Sequence, residues 1–252
     1  QSFKPTIEFE DLTYNFVTDF EKLLYESGYQ TNTVAKHMKH LKSFVNAAIN
    51  KGYIDPNNYA FRRYKIKMKE GKHVFLLPEE MKRLEEVSLT GRNSCLEHTL
   101  DAFLFCCYTG LRYSDFVNLN EKNIVKMDGK LWLIFDSVKT GTEVKLPLNL
   151  LFEGKALTLL QKYQGKWSSF FSIKNNSSVN KELIRIGKLA KISKHFSFHS
   201  ARHTNATLLI YKGANITTVQ KLLGHKNLAT TQIYGEVMGS TIIRDLKKCQ
   251  KR

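Results

Sequence analysis

The stretch from Leu96 to Tyr108 is strongly apolar, and Gly110 follows it closely. A helix that is hydrophobic all round has to be buried, and a glycine just past the last turn is a common C-cap. The stretch therefore predicts a buried helix closed by Gly110. The chain has 252 residues, enough to form a core without disulfide bonds. We interpret the adjacent Cys106 and Cys107 in this run as core residues.

Two segments near the start of the chain have apolar residues at spacings of three and four, which is the helical period. The first set is Phe9, Leu12, Phe16, Phe20 and Leu23, and the second is Val34, Met38, Leu41, Val45 and Ala48. Basic and apolar residues then alternate from Phe61 to Met68, which predicts either an extended strand or a linker that grips phosphate. We place a domain boundary in the polar residues that follow, between residues 1–70 and residues 71–252.

The larger segment, residues 71–252, predicts a helical domain with one small antiparallel sheet. An Asp-Gly pair at 128–129 lies between two candidate strands and predicts a hairpin. Residues 131–135 form the expected central strand, and a turn that contains Lys139 leads to the third. The rest of the segment is predicted to be mostly helical, with Gly154 inside the first of its helices. The expected fold class is mainly α with a small antiparallel β-sheet.

The charge balance points to a polyanionic partner. Lys and Arg number 39 against 23 Asp and Glu, which gives a formal net charge of +16, and most of the excess lies in residues 71–252. Nucleic acid is the first candidate partner and an anionic membrane surface is the second. No apolar run approaches the ~20 residues that a membrane span needs, and no secretory leader opens the chain. The four cysteines show no C-x-x-C spacing, so we expect a reduced, cytoplasmic protein.

Several enzyme classes are disfavoured by missing motifs. The sequence contains no G-x-x-x-x-G-K-[ST] or G-x-G-x-x-G loop for a nucleotide and no G-x-S-x-G elbow for a serine nucleophile. His195, His199 and His203 recur every four residues, as metal ligands on one helix face can, but the glutamate of H-E-x-x-H is missing. We therefore expect no metal and no cofactor.

A set of polar residues stands where apolar or plain surface residues are expected: Arg112, Lys139, His199, Arg202, His225 and Tyr234. Each has an ordinary alternative, such as an Arg112–Asp115 ion pair or a solvated turn lysine. Together they suit phosphoryl transfer to a tyrosine. Two guanidiniums can fork onto the oxygens of one phosphodiester, imidazoles and a lysine can move protons, and a phosphotyrosine would keep the energy of the diester.

The order of these motifs resembles the tyrosine recombinase family, which includes the integrases of phages and conjugative elements. The matching motifs are Thr109–Arg112, Lys139, His199–Thr204, Leu222–Lys226 and Tyr234. The resemblance implies a two-domain tyrosine-recombinase fold, with a helical core-binding domain in residues 1–70 and a mixed α/β catalytic domain in residues 71–252. It implies a site-specific recombinase or integrase that cleaves and rejoins DNA through a 3′-phosphotyrosine.

The resemblance also implies roles for the phosphate ligands. Arg112 and Arg202 would clamp the scissile phosphate, Asp115 would brace Arg112, and His225 would bind phosphate and order the site.

The proton-transfer roles follow in the same way. Tyr234 would attack phosphorus, His199 would assist proton transfer at its oxygen, and Lys139 would protonate the 5′ oxygen. His203 is a supporting residue. If Lys139 is only a turn residue, His203 and Lys145 are the alternative proton donors.

Double-stranded DNA is the expected partner. Candidate DNA-binding residues are Arg62, Arg63, Lys65, Lys67 and Lys226. The resemblance implies a monomer without DNA and a homotetramer on two DNA sites, is compatible with an accessory DNA-bending protein, and places the enzyme at the nucleoid. It suggests that the tail at 242–248 docks on a neighbouring protomer, with packing on its own subunit as the alternative.

Two other functions stay open on the sequence: a DNA-binding regulator that lost catalysis, and a type IB topoisomerase that relaxes DNA. The chain departs from the family pattern at Asn205, where an aromatic residue is common, and at Gly235, which follows the tyrosine. Because the chain begins at Gln1, we expect a fragment of a longer protein.

Overall fold

The computed structural model describes residues 6–69, 71 and 73–234. It divides into two compact units, Gln1–Lys72 and His73–Arg252. The described elements are mainly helices, with one three-stranded antiparallel sheet in the second unit. In this part of the chain, no helix is both long enough and apolar enough to cross a membrane.

The first unit is built on two helices, α1 (Tyr14–Glu26) and α2 (Thr31–Asn50), with short 3-10 helices at Phe9–Asp11 and Pro56–Asn58. Its core contains the apolar residues that the helical spacing predicted in α2, together with residues from α1 and from the segment after it. The fully buried members include Val17, Val34, Met38, Val45, Ala60 and Phe61.

One detail of the first unit differs from the sequence prediction, and one predicted alternative is removed. The first helix begins at Tyr14 and does not include Phe9, because the Thr13 side chain caps it by accepting a hydrogen bond from the Phe16 amide. The segment from Phe61 to Met68 contains no strand, so the linker alternative remains.

The second unit carries the sheet and nine of the described α-helices. The helices are α3 (Pro78–Glu85), α4 (Glu97–Thr109), α5 (Tyr113–Val117), α6 (Lys155–Lys162), α7 (Trp167–Phe171), α8 (Asn176–Leu189), α9 (Ser200–Tyr211), α10 (Ile216–Leu223) and α11 (Ala229–Gln232). Short 3-10 helices lie at Gly91–Leu96, Glu121–Asn123 and Leu151–Gly154.

Helix α4 is the centre of this unit, as its apolar sequence predicted. Every residue from Thr99 to Thr109 is buried, and α9, α6 and α8 pack around the helix. Gly110 closes it in the left-handed conformation, with φ of 76°. The side chains of Cys106 and Cys107 are both in the core.

The sheet has the order β1-β2-β3, with β1 (Ile124–Met127), β2 (Lys130–Asp136) and β3 (Glu143–Pro147). The predicted hairpin and central strand are confirmed. Gly154 does not lie inside one continuous helix, as predicted: it is the last residue of the 3-10 helix Leu151–Gly154 and the N-cap residue before α6. Its φ is 81°, a conformation that glycine adopts at little cost.

Candidate functional site

Arg112 lies at the N-cap position of α5, two residues after the left-handed Gly110. Its guanidinium donates to Ser137 Oγ at 2.9 Å and lies 3.4 Å from Asp115 Oδ2. Asp115 also accepts from the Val138 amide at 2.9 Å and is almost fully buried. The carboxylate therefore braces Arg112 and ties it to the turn after β2. Ser137 was not predicted; its position at the end of the central strand, just before Lys139, was the available signal.

Arg202 lies in the first turn of α9, and its side chain is only 3% exposed. It donates to the Gly110 carbonyl at 2.8 Å and to the Leu223 carbonyl. Burial, followed by the charge of Arg112, lowers the pKa of Arg202 to about 9, so it remains cationic at neutral pH. The site thus combines two cations, Arg112 and Arg202, with one carboxylate, Asp115. Its net charge is positive, which suits an anion.

Three histidines surround the two arginines. His225 follows α10, and its Nδ1 lies 2.8 Å from Thr231 Oγ1; burial and the charge of Arg202 lower its pKa to about 4. His199 caps α9, and its pKa is lowered by partial burial and by Arg202. Burial and the neighbouring His199 lower the pKa of His203 to about 3. All three rings are therefore neutral at pH 7.

Tyr234 follows α11 and is 5% exposed. Its hydroxyl lies 2.9 Å from Nδ1 of His203, and the ring of His73 packs beside both. Burial raises the pKa of Tyr234, while the charges of Arg202 and Arg112 act in the opposite direction. The phenol is thus neutral and close to the arginines. The sequence did not predict His73 at this place, since its contacts span more than a hundred residues.

Lys139 is exposed in the turn between β2 and β3. This turn is docked on the end of α10, because Thr140 Oγ1 donates to the Gly224 carbonyl at 3.4 Å. A Cβ at Gly224 would lie 2.7 Å from Val144 Cγ2, so only a glycine permits this approach. The docked turn holds Lys139 near the end of α10, where His225 follows Gly224.

The five residues that the sequence suggested for DNA binding are all exposed. Lys226 is exposed directly after His225. Four further basic candidates are exposed in the first unit, in the irregular segment after its second 3-10 helix: Arg62, Arg63, Lys65 and Lys67. His195 precedes α9 and does not share a helix face with His199, and no group of three potential ligands suited to a metal occurs in residues 6–69, 71 and 73–234.

Comparison with known proteins assigns the family. The model of the phage integrase family matches residues 74–239, and that of the phage integrase SAM-like domain matches residues 1–67. The chain belongs to the phage integrase family of tyrosine recombinases. This recombinase is 30% identical over 241 residues to tyrosine recombinase XerC of Oceanobacillus iheyensis, covering 90% of this chain and 77% of the relative. Identity to XerC of Bacillus licheniformis is 29%, over 91% of this chain and 78% of that one.

Solved structures show the same fold. A lambda integrase dimer bound to a COC′ core site gives a TM-score of 0.76 at 19% identity, covering 94% of the recombinase and 84% of that chain. A lambda integrase tetramer bound to a Holliday junction gives 0.73 at 20% identity, covering 92% and 66%. The recombinase is therefore a site-specific, DNA strand-exchanging enzyme of mainly helical fold, with a SAM-like N-terminal domain and an integrase catalytic domain.

The lowered histidine pKa values make the stability of the recombinase depend on pH. In the unfolded chain a histidine titrates near ~6.5, whereas folded His203 and His225 titrate at about 3 and about 4. Between these pH values the unfolded chain binds more protons than the folded chain. The contribution of the two histidines to the free energy of unfolding is therefore fully present above about pH 7 and is lost as the pH drops below ~6.5. Urea unfolding at pH 7.5, 6.5 and 5.5 measures this slope.

A matched pair of variants isolates the source of the slope. His225→Asn is expected to flatten the decline, while the exposed His195→Asn is expected to leave it unchanged. Equal slopes in the two variants would show that the decline arises elsewhere in the protein.

Proposed function

We propose that this recombinase cleaves and rejoins DNA through a 3′-phosphotyrosine formed on Tyr234. One observation carries the proposal: the buried Tyr234 hydroxyl lies 2.9 Å from Nδ1 of His203, the residue that follows Arg202 on α9. Two guanidiniums can hold the non-bridging oxygens of one phosphodiester. A phenol next to them is then in place to attack phosphorus.

In the proposed reaction, the Tyr234 oxygen forms a bond to phosphorus and the bond from phosphorus to the 5′ oxygen breaks. Lys139 gives a proton to the departing 5′ oxygen, which is otherwise a strongly basic alkoxide. Attack by a 5′ hydroxyl from another strand reverses these steps and frees the tyrosine. The phosphotyrosine bond keeps the free energy of the cleaved phosphodiester, so rejoining the DNA needs no cofactor as an energy source.

The two arginines stabilise the negative charge that develops in the transition state. Arg112 is preset by Asp115 and Ser137, and Arg202 by two backbone carbonyls. Such fixed donors need little reorganisation when charge grows on the phosphoryl oxygens. His225, held through Nδ1 by Thr231, is assigned to the phosphate, where its other ring nitrogen can donate.

The contact of the Tyr234 hydroxyl changes the role that we expected for His199. The hydrogen bond at 2.9 Å belongs to His203, while His199 contacts the edge of the His203 ring. We therefore assign the tyrosine proton to His203 and the phosphate side of the site to His199.

Proton transfer is strongly uphill before DNA binds. The pKa of His203 is about 3 and that of Tyr234 is raised above its usual value near 10. The proton therefore rests on the Tyr234 hydroxyl in the free protein. A bound phosphodiester brings negative charge to the arginines and so favours protonated histidine. The nucleophile is thereby activated by the substrate itself.

The two domains are proposed to have different functions. Residues 1–70 are proposed as a core-type DNA-binding domain and residues 71–252 as the catalytic domain. Double-stranded DNA is the proposed partner. The protein is proposed to be a monomer without DNA and a homotetramer on two DNA sites. This assembly is compatible with an accessory DNA-bending protein. Since its relatives are bacterial and its substrate is DNA, we place the enzyme in the cytoplasm at the nucleoid. The tail at 242–248 lies outside the described residues.

A suicide substrate tests the proposal. A core-site duplex, selected from a random-sequence DNA pool by binding, is nicked so that a short fragment diffuses away after cleavage. The wild-type chain should form an adduct that survives denaturing electrophoresis. Tight binding without any adduct would indicate a DNA-binding regulator on the same fold.

The general acid can be tested by changing the leaving group. Lys139→Ala is expected to slow cleavage of an ordinary phosphodiester by about 10²–10⁴. When sulfur replaces the bridging 5′ oxygen, the leaving group needs no proton, and the same variant should cleave at nearly the wild-type rate.

Two control variants accompany this measurement. Arg112→Ala should gain no rescue from sulfur, because its donors act on the non-bridging oxygens. Lys145→Ala, which removes a partner of Glu143 on β3, should cleave both substrates normally. Equal rescue of Lys139→Ala and Arg112→Ala would remove Lys139 from the role of proton donor.

DNA affinity should fall steeply with salt. Each phosphate that a lysine or arginine neutralises contributes a log–log slope of about −0.9, and the chain carries a net charge of +16. Binding isotherms between ~50 and ~300 mM salt give the slope. Lys65→Ala should reduce its magnitude by about 0.9. A wild-type slope flatter than about −2 would mean that the basic residues mainly face solvent.

A further inference from the structure

Asn205 lies on α9, three residues after Arg202, so the two side chains are neighbours on the helix surface. The Asn205 side chain is buried, at 1% exposure. Its Nδ2 donates to the Cys107 carbonyl at 3.0 Å. Cys107 lies in the last turn of α4, where helix carbonyls have no partner within the helix. Asn205 thus supplies the missing donor at the end of α4.

The oxygen of the same amide points at Gly110. A Cβ added at Gly110 would lie 2.8 Å from Asn205 Oδ1 and 2.6 Å from Leu223 Cδ2. The glycine backbone is therefore fitted between the side chains of Asn205 and Leu223. The carbonyls of Gly110 and Leu223 are also the two acceptors of Arg202.

Asn205 and Arg202 therefore hold the same loop from one helix. The amide fixes the end of α4, the guanidinium fixes the carbonyl of Gly110, and Arg112 follows two residues later. Any shift between α9 and the end of α4 changes the separation of the two arginines.

The amide oxygen of Asn205 makes no hydrogen bond within the described part of the chain. This oxygen is buried, and an unsatisfied buried acceptor is unfavourable. An apolar side chain of similar size would avoid this penalty. The gain from asparagine is the bond to α4.

We propose that Asn205 is a positioning residue that sets the spacing of Arg112 and Arg202 around the scissile phosphate. The proposal rests on the function of these arginines given above. Asn205 does not touch the substrate; it acts through the end of α4 and the Gly110 loop.

The test variant is Asn205→Leu, which keeps the approximate size and removes the donor. The control is Thr207→Val on the same helix, since Thr207 is also buried and its hydroxyl also lacks a partner. Both variants should bind the selected duplex like wild type. Single-turnover cleavage should be slowed by about 10- to 100-fold in Asn205→Leu, as for a small misplacement of catalytic groups, and unchanged in Thr207→Val.

A neutral phosphate separates positioning from general damage. In a methylphosphonate substrate, one non-bridging oxygen is replaced by methyl, so the transition state carries less charge for the arginines to stabilise. The deficit of Asn205→Leu should shrink several-fold on this substrate, in parallel with that of Arg202→Ala. A second variant, Asn205→Ala, should behave in the same way and serves if the leucine packs badly.

Two results overturn the proposal: cleavage within about twofold of wild type in both Asn205 variants, or a deficit of equal size on the two substrates. If the deficit of Arg202→Ala also fails to shrink, the phosphate clamp itself is wrong. That outcome is distinct from failure of Asn205 alone.

Discussion

Tyr234→Phe is expected to abolish covalent protein–DNA adducts while leaving DNA affinity nearly unchanged. The substitution removes only the hydroxyl, which lies 2.9 Å from His203. The ring remains in a small apolar cluster with Ala206, Val219 and Leu223, so the fold is kept. Loss of an enzyme's nucleophile lowers turnover by on the order of 10⁶, which is below detection on a denaturing gel of the trapped complex.

Tyr113→Phe is the matched control. It removes a hydroxyl that donates to the Lys174 carbonyl at 2.8 Å, next to Arg112 in the chain. This variant should form adducts like wild type. Adducts at the wild-type level with Tyr234→Phe would mean that another residue attacks phosphorus.

Arg112→Lys and Arg202→Lys are expected to cleave slowly despite keeping the positive charge. A lysine cannot make the forked contact of a guanidinium. Loss of one fixed donor to developing charge costs about 3–4 kcal/mol, or roughly 10²–10³ in single-turnover rate. Arg202→Lys should also lower the melting temperature, because its two carbonyl acceptors are buried.

The arginine variants need a control for the substitution itself. Arg185→Lys changes an exposed residue of α8 that contacts Asn93, and it should cleave at the wild-type rate. Cleavage within about threefold of wild type in both Arg112→Lys and Arg202→Lys would contradict the clamp.

Local sequence signals predicted the parts of the fold that depend on neighbouring residues. The apolar run gave α4, the glycine after it gave the C-cap, and the Asp-Gly pair gave the hairpin. The start of α1 was misplaced because the apolar spacing continues past Thr13, where the hydrogen-bonding cap begins the helix. The break between the 3-10 helix and α6 at Gly154 was missed because the left-handed backbone there depends on how the chain enters α6.

In the candidate site, too, the sequence predicted local features but not contacts between distant residues. The order of motifs identified the polar residues, but their partners depend on packing between distant segments. The contact of His203 with Tyr234 joins residues 31 apart, and that of Asn205 with Cys107 joins residues 98 apart. Spacing in the sequence carries no information about such pairs, so Ser137 and His73 were missed.

Mapping the trapped adduct identifies the residue that attacks phosphorus. The wild-type chain is trapped on the nicked core-site duplex, digested with protease and nuclease, and the linked peptide is identified by mass spectrometry. We expect a nucleotide joined through its 3′ phosphate to Tyr234, with a free 5′ hydroxyl on the other fragment. Attachment at any other residue, or through a 5′ phosphate, would contradict it.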